Sequence, residues 1–262
     1  MSQTYTTNDL KELFAYPFQD PDWKKKFLIG SLIVIGGYIV PIVPFVIIYG
    51  YIAQIMRRII VEKGEPFLPE WDDWGKLLTD GFKLLGAVFV YMLPIFVIFF
   101  TGYLIFFITI ILSTTIGATE GSEAPSAIMA LGPVIGGVGM FVLYGLAMLI
   151  ALALGLVMPA IMGHVVATDD FGAAFHIREW WAIFRANIGG FLIAYVILLA
   201  ISAALNFVFV IIYLTIILCC LLPFLLGPLT MYIMVIYAVI FAQAYREGVE
   251  KLENQTAAIE AG

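Results

Sequence analysis

Apolar positions along the chain fall into four long segments that contain no Asp, Glu, Lys or Arg. These segments are Phe27–Met56, Leu84–Thr119, Ala124–Thr168 and Ala186–Tyr245. A helix needs about 20 apolar residues to cross the hydrocarbon core of a bilayer, so each segment is long enough for a spanning helix. The pattern predicts an all-α protein, a polytopic helical bundle in a membrane.

The distribution of Lys and Arg favours three helical hairpins, with about six membrane segments. Basic clusters at Lys24–Lys26 and Arg57–Arg58 flank the first apolar segment, and no basic residue occurs at positions 84–177 or 186–245. Cytoplasmic loops carry an excess of Lys and Arg. Three hairpins place all 13 basic residues on the cytoplasmic face. Both termini are then cytoplasmic, and the loop at 120–123 is external.

The turns of the first and third hairpins are predicted from helix-breaking residues. Pro41 and Pro44 interrupt the first apolar segment, and proline lacks the amide donor that a helix interior needs. This first hairpin is short, and is expected to be tilted or re-entrant. A cluster of Pro and Gly places the outer turn of the third hairpin at Leu222–Pro228. Asn206 is an alternative turn in the same segment, or a polar contact between helices.

Two charged segments carry aromatic residues at helical spacing and are predicted to be amphipathic helices at the cytoplasmic-side interface. They are Glu70–Asp80 and Phe171–Arg185, the second with Asp170 as its N-cap. A soluble amphipathic helix packed on a domain is the alternative for the first segment. Trp favours the headgroup level of a bilayer. The residues expected to contact lipid or a partner protein are Trp23, Arg57, Arg58, Trp71, Trp74, Arg178, Trp180 and Trp181.

Composition supports the same class. The 262-residue chain is 63% hydrophobic and 12% charged, whereas soluble domains carry roughly 25% charged residues. Its net charge of −6 resides in short loops and tails, so no nucleic-acid partner is expected. We expect a polar N-terminal and interfacial segment at 1–26, one transmembrane domain at 27–246 and an acidic C-terminal tail at 247–262. No cleavable signal peptide is expected.

A short internal similarity suggests a parallel repeat. Ala-Gln-x-x-Arg occurs at Ala53–Arg57 and at Ala242–Arg246, each time after an apolar run. Chance is the alternative explanation for so short a match. A repeat would place Gln54 and Gln243 at matching depths, and a buried amide needs a hydrogen-bond partner. Both glutamines, together with Asn206, are therefore the predicted polar residues within the membrane.

Eleven residues in the charged stretch after the first hairpin form a recognisable pattern. They are Gly50-Tyr51, Arg57, Gly64-Glu65, Leu68-Pro69, Trp71, Asp73-Trp74 and Gly81. This pattern resembles the prokaryotic membrane family designated domain of unknown function 4013, most strongly over residues 16–100. The resemblance implies a polytopic membrane fold and is compatible with an accessory subunit of a larger complex. It implies no activity.

The sequence offers no catalytic, cofactor or metal site. His164 and His176 are expected to be polar residues at the interface, because both lie at or beyond the cytoplasmic end of a predicted helix. Haem or chlorophyll ligation, the alternative, needs an imidazole that faces a cavity within a span. Their spacing of twelve matches no metal motif by itself. In each acidic pair, Asp72-Asp73 and Asp169-Asp170, one carboxylate is expected to cap a helix while the other faces solvent. A divalent-metal site is the alternative, and it would need further oxygen ligands nearby. Cys219 and Cys220 are expected to be buried apolar residues. No enzyme activity is therefore expected.

Three classes of function remain open for a protein of the prokaryotic cell membrane. The first is an accessory or structural subunit that binds membrane lipids and other membrane subunits, or associates with itself. The second is a carrier or scramblase for a lipid or apolar solute, with the glycine-rich run Gly132–Met140 as its groove. Close helix packing is the alternative role of those glycines. A membrane-bound enzyme is the third class and the least favoured.

Overall fold

A computed structural model describes residues 12–40, 42–117, 124–214 and 222–260. No strand occurs in these ranges, which confirms the all-α class. The α-helices are α1 (Trp23–Gly36), α2 (Ile42–Ile60), α3 (Trp74–Gly117), α4 (Ala124–Thr168), α5 (Ile177–Ala186), α6 (Ile188–Leu214) and α7 (Leu222–Glu260). Short 3-10 helices occur at Tyr16–Phe18 and Phe171–Phe175.

Among the described residues, five helices are long and apolar enough to cross a membrane. They are α2, α3, α4, α6 and α7. Helix α1 has 14 residues and is about 21 Å long at 1.5 Å per residue, which is shorter than the hydrocarbon core. The structure is therefore consistent with a multi-pass membrane protein.

The chain divides into two compact units, and the larger one contains Met1–Val88 together with Leu156–Gly262. Helix α7 is its centre, because α1, α2, α5 and α6 all pack against it. The central part of α7 is almost completely buried, as Phe241 and Ala242 illustrate. Burial of these apolar side chains is the main source of stability in this unit.

The smaller unit, Phe89–Gly155, pairs the C-terminal part of α3 with the N-terminal part of α4. Two glycines of α4 allow the close approach of these helices: a Cβ at Gly136 would overlap the Thr109 hydroxyl, and one at Gly132 would lie 2.5 Å from Ser113 Cβ. Nearby, the rings of Phe99 and Tyr144 stack with centroids 4.4 Å apart. Gly132 and Gly136 therefore pack tightly, as small residues do between membrane helices.

The predicted surface helix over Glu70–Asp80 is wrong as a separate element. Residues 62–73 are not helical, and the helix that begins at Trp74 continues without a break to Gly117. Trp71 packs from the non-helical segment onto Tyr51, with ring centroids 4.2 Å apart. This tertiary contact overrides the helical spacing of the aromatic residues.

The second surface segment is a 3-10 helix followed by the ten-residue helix α5. Asp170 is an N-cap as predicted, but of the 3-10 helix, where its carboxylate accepts a hydrogen bond from the Gly172 amide. The N-cap of α5 is His176, so the single helix predicted over Phe171–Arg185 is two elements. Trp180, Ile183 and Phe184 form the buried face of α5.

Two predicted turns lie elsewhere. Leu222–Pro228 belongs to α7, so the turn predicted there is wrong, and residues 215–221, with both cysteines, lie outside the described residues. The chain leaves α1 through residues 37–40, and Pro44 of the predicted first turn lies in the first turn of α2. Proline is tolerated there, because the amide it lacks has no partner at a helix start. Pro41 lies outside the described residues. The predicted tail at 247–262 continues α7 as far as Glu260.

Candidate functional site

The residues of the family pattern, together with Lys26, join the first three helices. Trp71 stacks on Tyr51 and donates a hydrogen bond from its indole nitrogen to the Lys26 carbonyl oxygen, at 3.0 Å. Lys26 in turn donates to the Leu68 carbonyl oxygen at 2.8 Å, and Leu68 is 2% exposed. Asp73 accepts a hydrogen bond from the Lys76 amide and so caps the start of α3. The pattern thus describes how α1, α2 and α3 are joined.

The Lys26 ammonium is almost buried and is held by two carboxylates. Its nitrogen lies 2.8 Å from Asp20 and 2.6 Å from Glu70. Burial disfavours its charged form, but the hydrogen bonds and charges of the two carboxylates outweigh burial and raise the pKa of Lys26. Lys26 therefore stays charged where it joins the start of α1 to the segment that follows α2.

A second charged cluster joins α2, α3 and the end of α4. Arg57 donates hydrogen bonds to Asp80 from both terminal guanidinium nitrogens, Nη1 and Nη2, at 2.5 and 3.2 Å, and Asp80 is 4% exposed. The same guanidinium lies 2.9 Å from Asp169, which also accepts a hydrogen bond from Lys83 at 2.9 Å. A bidentate Arg–carboxylate pair has the most specific geometry among ion pairs, so this cluster fixes the three elements together.

Asp169 has two features that suit its place in this cluster. Its hydrogen bond from Lys83, together with the charges of Arg57 and Lys83, lowers the pKa of the Asp169 carboxyl despite partial desolvation. Its φ of 56° is left-handed, a conformation that Asp and Asn adopt more readily than most residues. The Asp169 backbone oxygen accepts a second bond from Lys83, at 2.7 Å.

A third cluster gathers both histidines of the chain. His164 of α4 is 5% exposed. Its Nδ1 lies 2.9 Å from the Tyr245 hydroxyl, and its Nε2 lies 3.1 Å from the Glu179 carboxylate. His176, at the N-cap of α5, has its Nδ1 3.6 Å from the other Glu179 oxygen. Candidate ligand atoms of both histidines and Glu179 lie within 4.8 Å of one another.

The corner that carries His176 and Glu179 is held by buried contacts. The Trp180 indole donates to the Ala174 carbonyl oxygen at 3.1 Å. At the other end of α5, Asn187 is 2% exposed and donates to the Ala244 carbonyl oxygen of α7 at 2.8 Å. A helix this short gains its stability from such tertiary contacts, and they position its first turn beside α4 and α7.

The larger unit also contains a polar cavity of about 550 Å³. Its lining is mostly polar or charged: Glu12, Leu13, Tyr16, Gln19, Glu65, Pro66, Val239, Gln243, Arg246 and Glu247. The Tyr16 hydroxyl is buried and has no hydrogen-bond partner among the described residues. A charged lining of this kind suits a polar ligand rather than a lipid chain.

The predicted contact residues divide into buried and exposed groups. Trp71 and Trp180 are 8% and 5% exposed and belong to the core. Trp74 and Trp181 are 45% and 42% exposed. The basic residues Arg58 and Arg178 are also exposed, whereas Arg57 and Trp23 are half-buried.

The three predicted intramembrane amides lie in different surroundings. Gln54 and Gln243 are both half-buried, and each follows a fully buried alanine, Ala53 or Ala242. Gln243 lines the polar cavity. Asn206 is exposed on α6, within the candidate span Ile188–Ile212.

Several site residues were missed from the sequence. Asp80, Lys83 and Tyr245 were not singled out, and His164 and His176 were not expected to meet. The one available signal was the scarcity of charge: an ionisable residue at the edge of an apolar segment must find a partner. The scarcity of charge identifies the ionisable residue that needs a partner, but it does not identify the partner.

The all-helical fold, with five described helices apolar enough to cross a bilayer, defines the class as a candidate multi-pass membrane protein. The family model described as Protein of unknown function (DUF4013) matches residues 33–221, and the chain belongs to this family. The family resemblance seen in the sequence is thereby confirmed. No curated protein and no solved structure matches the chain.

Proposed function

We propose that the protein is a non-enzymatic accessory subunit of the prokaryotic cell membrane, which binds partner membrane proteins and lipids. The observation that carries this proposal is Asn206. Its amide is exposed on α6, inside the candidate span Ile188–Ile212. The most apolar 18-residue stretch of this span contains no buried residue. An amide in hydrocarbon is costly without a hydrogen-bond partner, and such amides bond across helices in membranes. A helix of a partner protein or of a second copy would supply that bond.

The contacts in the larger unit support the proposed topology. Lys26, at the start of α1, touches the segment that follows α2, so both ends of this helix pair lie together. Arg57, near the end of α2, binds Asp80 and Asp169, which brings in the start of α3 and the end of α4. Three hairpins with both termini on the cytoplasmic face would bring these same helix ends together.

The exposed aromatic residues fit a role at the membrane surface. Trp74 is exposed at the start of α3, and Trp181 is exposed in the middle of α5. The Lys24 ammonium lies 5.9 Å from the centroid of the Trp23 ring. Trp and basic side chains of this kind prefer the headgroup region. We propose that α5 lies in this interface, with Trp181 toward lipid.

The carrier and enzyme alternatives have less support. The glycines proposed to line a groove contact Thr109 and Ser113 closely in the smaller unit. The charged clusters of the larger unit bind each other and join helices. Their geometry suits a structural role better than general acid–base chemistry.

A test compares two substitutions of neighbouring exposed residues on α6. Asn206→Leu removes the amide, whereas Phe207→Leu alters a side chain that is 67% exposed and keeps it apolar. The wild type, purified from its native membrane in mild detergent, is expected to carry a stoichiometric protein partner or to form an oligomer. We expect Asn206→Leu to lose that association by about tenfold, equivalent to about 1.4 kcal/mol, and Phe207→Leu to retain it.

A photo-crosslinking residue at position 206 identifies what lies against α6. Crosslinks to one protein species support the accessory role, and crosslinks to the chain itself indicate self-association. If position 206 labels only lipid, and Asn206→Leu stabilises the protein without changing its associations, the accessory role proposed from this amide is wrong.

A further inference from the structure

We infer that His164, His176 and Glu179 form a binding site for one divalent transition-metal ion of the Zn²⁺ and Co²⁺ class. The site does not depend on the accessory role proposed above. It also departs from the expectation that the two histidines are only polar residues at the interface. The 3-10 turn at Phe171–Phe175 brings residues that are twelve apart in sequence to the same point.

The donor set suits such an ion. Two imidazoles and one carboxylate are the ligands that Zn²⁺ commonly uses when a further position is left for water. Metal–ligand bonds of about 2.0–2.2 Å place neighbouring donor atoms about 3.0–3.6 Å apart. In the structure, His164 Nε2 and His176 Nδ1 lie 3.1 and 3.6 Å from the two Glu179 oxygens. Small side-chain rotations would centre an ion among them.

The surroundings of His164 match those of a metal-ligating histidine. Such a histidine usually donates its other ring N–H to a fixed acceptor. The Tyr245 hydroxyl lies 2.9 Å from His164 Nδ1 and can accept this bond. The ring of Tyr245 reaches this place because residue 163 is glycine: a Cβ there would lie 2.6 Å from Tyr245 Cδ2.

Metal binding at this site needs a shift of tautomer but no net change of charge on the imidazole. Without metal, an ionised Glu179 can only accept, so a neutral His164 would donate from Nε2 to Glu179 and accept from the Tyr245 hydroxyl. With metal, the proton resides on Nδ1 and is donated to Tyr245, while the Nε2 lone pair binds the ion. The Tyr245 proton then turns away from the ring.

The site is open on one side. His176 and Glu179 side chains are 56% and 60% exposed, whereas the His164 side chain is 7% exposed. An ion can therefore enter from solvent and keep water in its remaining positions. Once bound, it would fasten α5 to the end of α4 and, through Tyr245, to α7.

The test uses the full chain in detergent, with its affinity tag removed and bound metal stripped by EDTA. Titration with Zn²⁺ is expected to show one saturable site, and Co²⁺ should compete for it. His176→Ala and Glu179→Gln are each expected to weaken Zn²⁺ binding at least tenfold. Glu250→Gln, the same change at an exposed acid of α7, should leave it unchanged. Tyr245→Phe keeps the ring and should weaken binding by about tenfold through the outer hydrogen bond.

Three results would each overturn the inference. One is the lack of saturable Zn²⁺ binding up to about 1 mM, the weak end of the usual affinity scale. Another is binding of wild-type strength in both His176→Ala and Glu179→Gln, which places the ion on other residues. The third is competition by Mg²⁺ or Ca²⁺ as strong as that by Co²⁺, since those ions prefer sites built of oxygen ligands.

Discussion

Gly50 of α2 and Gly81 of α3 lie where the two helices cross in backbone contact. A Cβ at Gly50 would overlap the Leu77 carbonyl oxygen, and a Cβ at Gly81 would overlap that of Val46 and lie 3.0 Å from the Gly50 nitrogen. Both glycines belong to the family pattern. Their role is thereby explained: only residues without a side chain allow these helices to approach closely enough for Arg57 to reach Asp80.

We predict that Gly50→Ala and Gly81→Ala each destabilise the protein by about 3 kcal/mol or more, because the added methyl group has no free space. Gly145→Ala is the matched control, since a Cβ there meets nothing within 4 Å. Alanine is also the better helix former, so the control should be neutral or slightly stabilising. Thermal unfolding in detergent measures all three. Equal unfolding temperatures would contradict the crossing described here.

The Arg57–Asp80 pair provides a second prediction. Removal of the guanidinium in Arg57→Ala leaves an almost buried carboxylate without its partner, and we expect a loss of about 3–5 kcal/mol. Arg58→Ala is the control, because its pair with Glu62 is about half exposed and is expected to contribute about 0.3–0.5 kcal/mol.

A double substitution separates loss of the pair from loss of packing. Arg57→Met combined with Asp80→Leu removes both charges, so no unpaired charge is buried. We expect this variant to recover much of the stability that Arg57→Ala loses. If Arg57→Ala costs no more than Arg58→Ala, the carboxylate of Asp80 is solvated and the cluster does not hold the helices together.

The helical class was predictable from the sequence because the requirement for a spanning helix is local. Runs of about 20 apolar residues suffice to identify one. The turns were not predictable from proline, since Pro44 lies in the first turn of α2 and Pro228 lies inside α7. In a membrane, neighbouring helices satisfy the backbone groups that proline leaves free. The helical spacing of the aromatic residues predicted a helix at Trp71. The structure instead has a non-helical segment there, in which the Trp71 ring stacks on Tyr51.

The site was less predictable because its contacts join distant residues. Arg57 and Asp169 are 112 positions apart, and His164 and Tyr245 are 81 apart. A single sequence contains no signal for these pairings. Asp170 was predictable as a cap because its partner, the Gly172 amide, is two residues away. The capping interaction depends on local backbone geometry alone.

The lowered pKa of Asp169 predicts a dependence of stability on pH. A carboxyl whose folded pKa is lower than its unfolded pKa stabilises the fold above the ordinary value of about 3.9, and this contribution is lost as the pH falls through the folded pKa. We expect Lys83→Met to cost more in the wild type than in an Asp169→Asn background at pH 6. The difference should be smaller at pH 3, because the Asp169 carboxyl becomes protonated as the pH falls below about 3.9.

The expected difference is small, below about 1 kcal/mol, because the Asp169 side chain is 63% exposed and solvent screens the pair. Asparagine is the suitable replacement, since it also adopts the left-handed backbone of residue 169. Chemical unfolding at both pH values completes the cycle. A difference that grows toward pH 3 would reverse the sign and contradict the ion pair.

The proposed topology predicts which loops can be labelled from outside the cell. In a background without Cys219 and Cys220, a membrane-impermeant thiol reagent should label Ser122→Cys in intact cells. It should label Lys63→Cys only after the membrane is opened, because the proposed topology places that loop with the basic residues on the cytoplasmic face. Equal labelling of both positions in intact cells would rule out three hairpins.

Neighbouring glycines of α4 distinguish close packing from a lipid groove in the smaller unit. A Cβ at Gly136 would overlap the Thr109 hydroxyl, whereas a Cβ at Gly137 has its nearest neighbour, a Phe106 ring atom, at 3.9 Å. We expect Gly136→Val to lower stability by about 2–3 kcal/mol through overpacking and Gly137→Val to change it by less than about 1 kcal/mol. Thermal unfolding in detergent and lipid-transfer assays in vesicles are measured on both variants. If Gly136→Val unfolds like the wild type but abolishes lipid transfer that the wild type shows, the glycines line a transport groove and the carrier alternative replaces the accessory role.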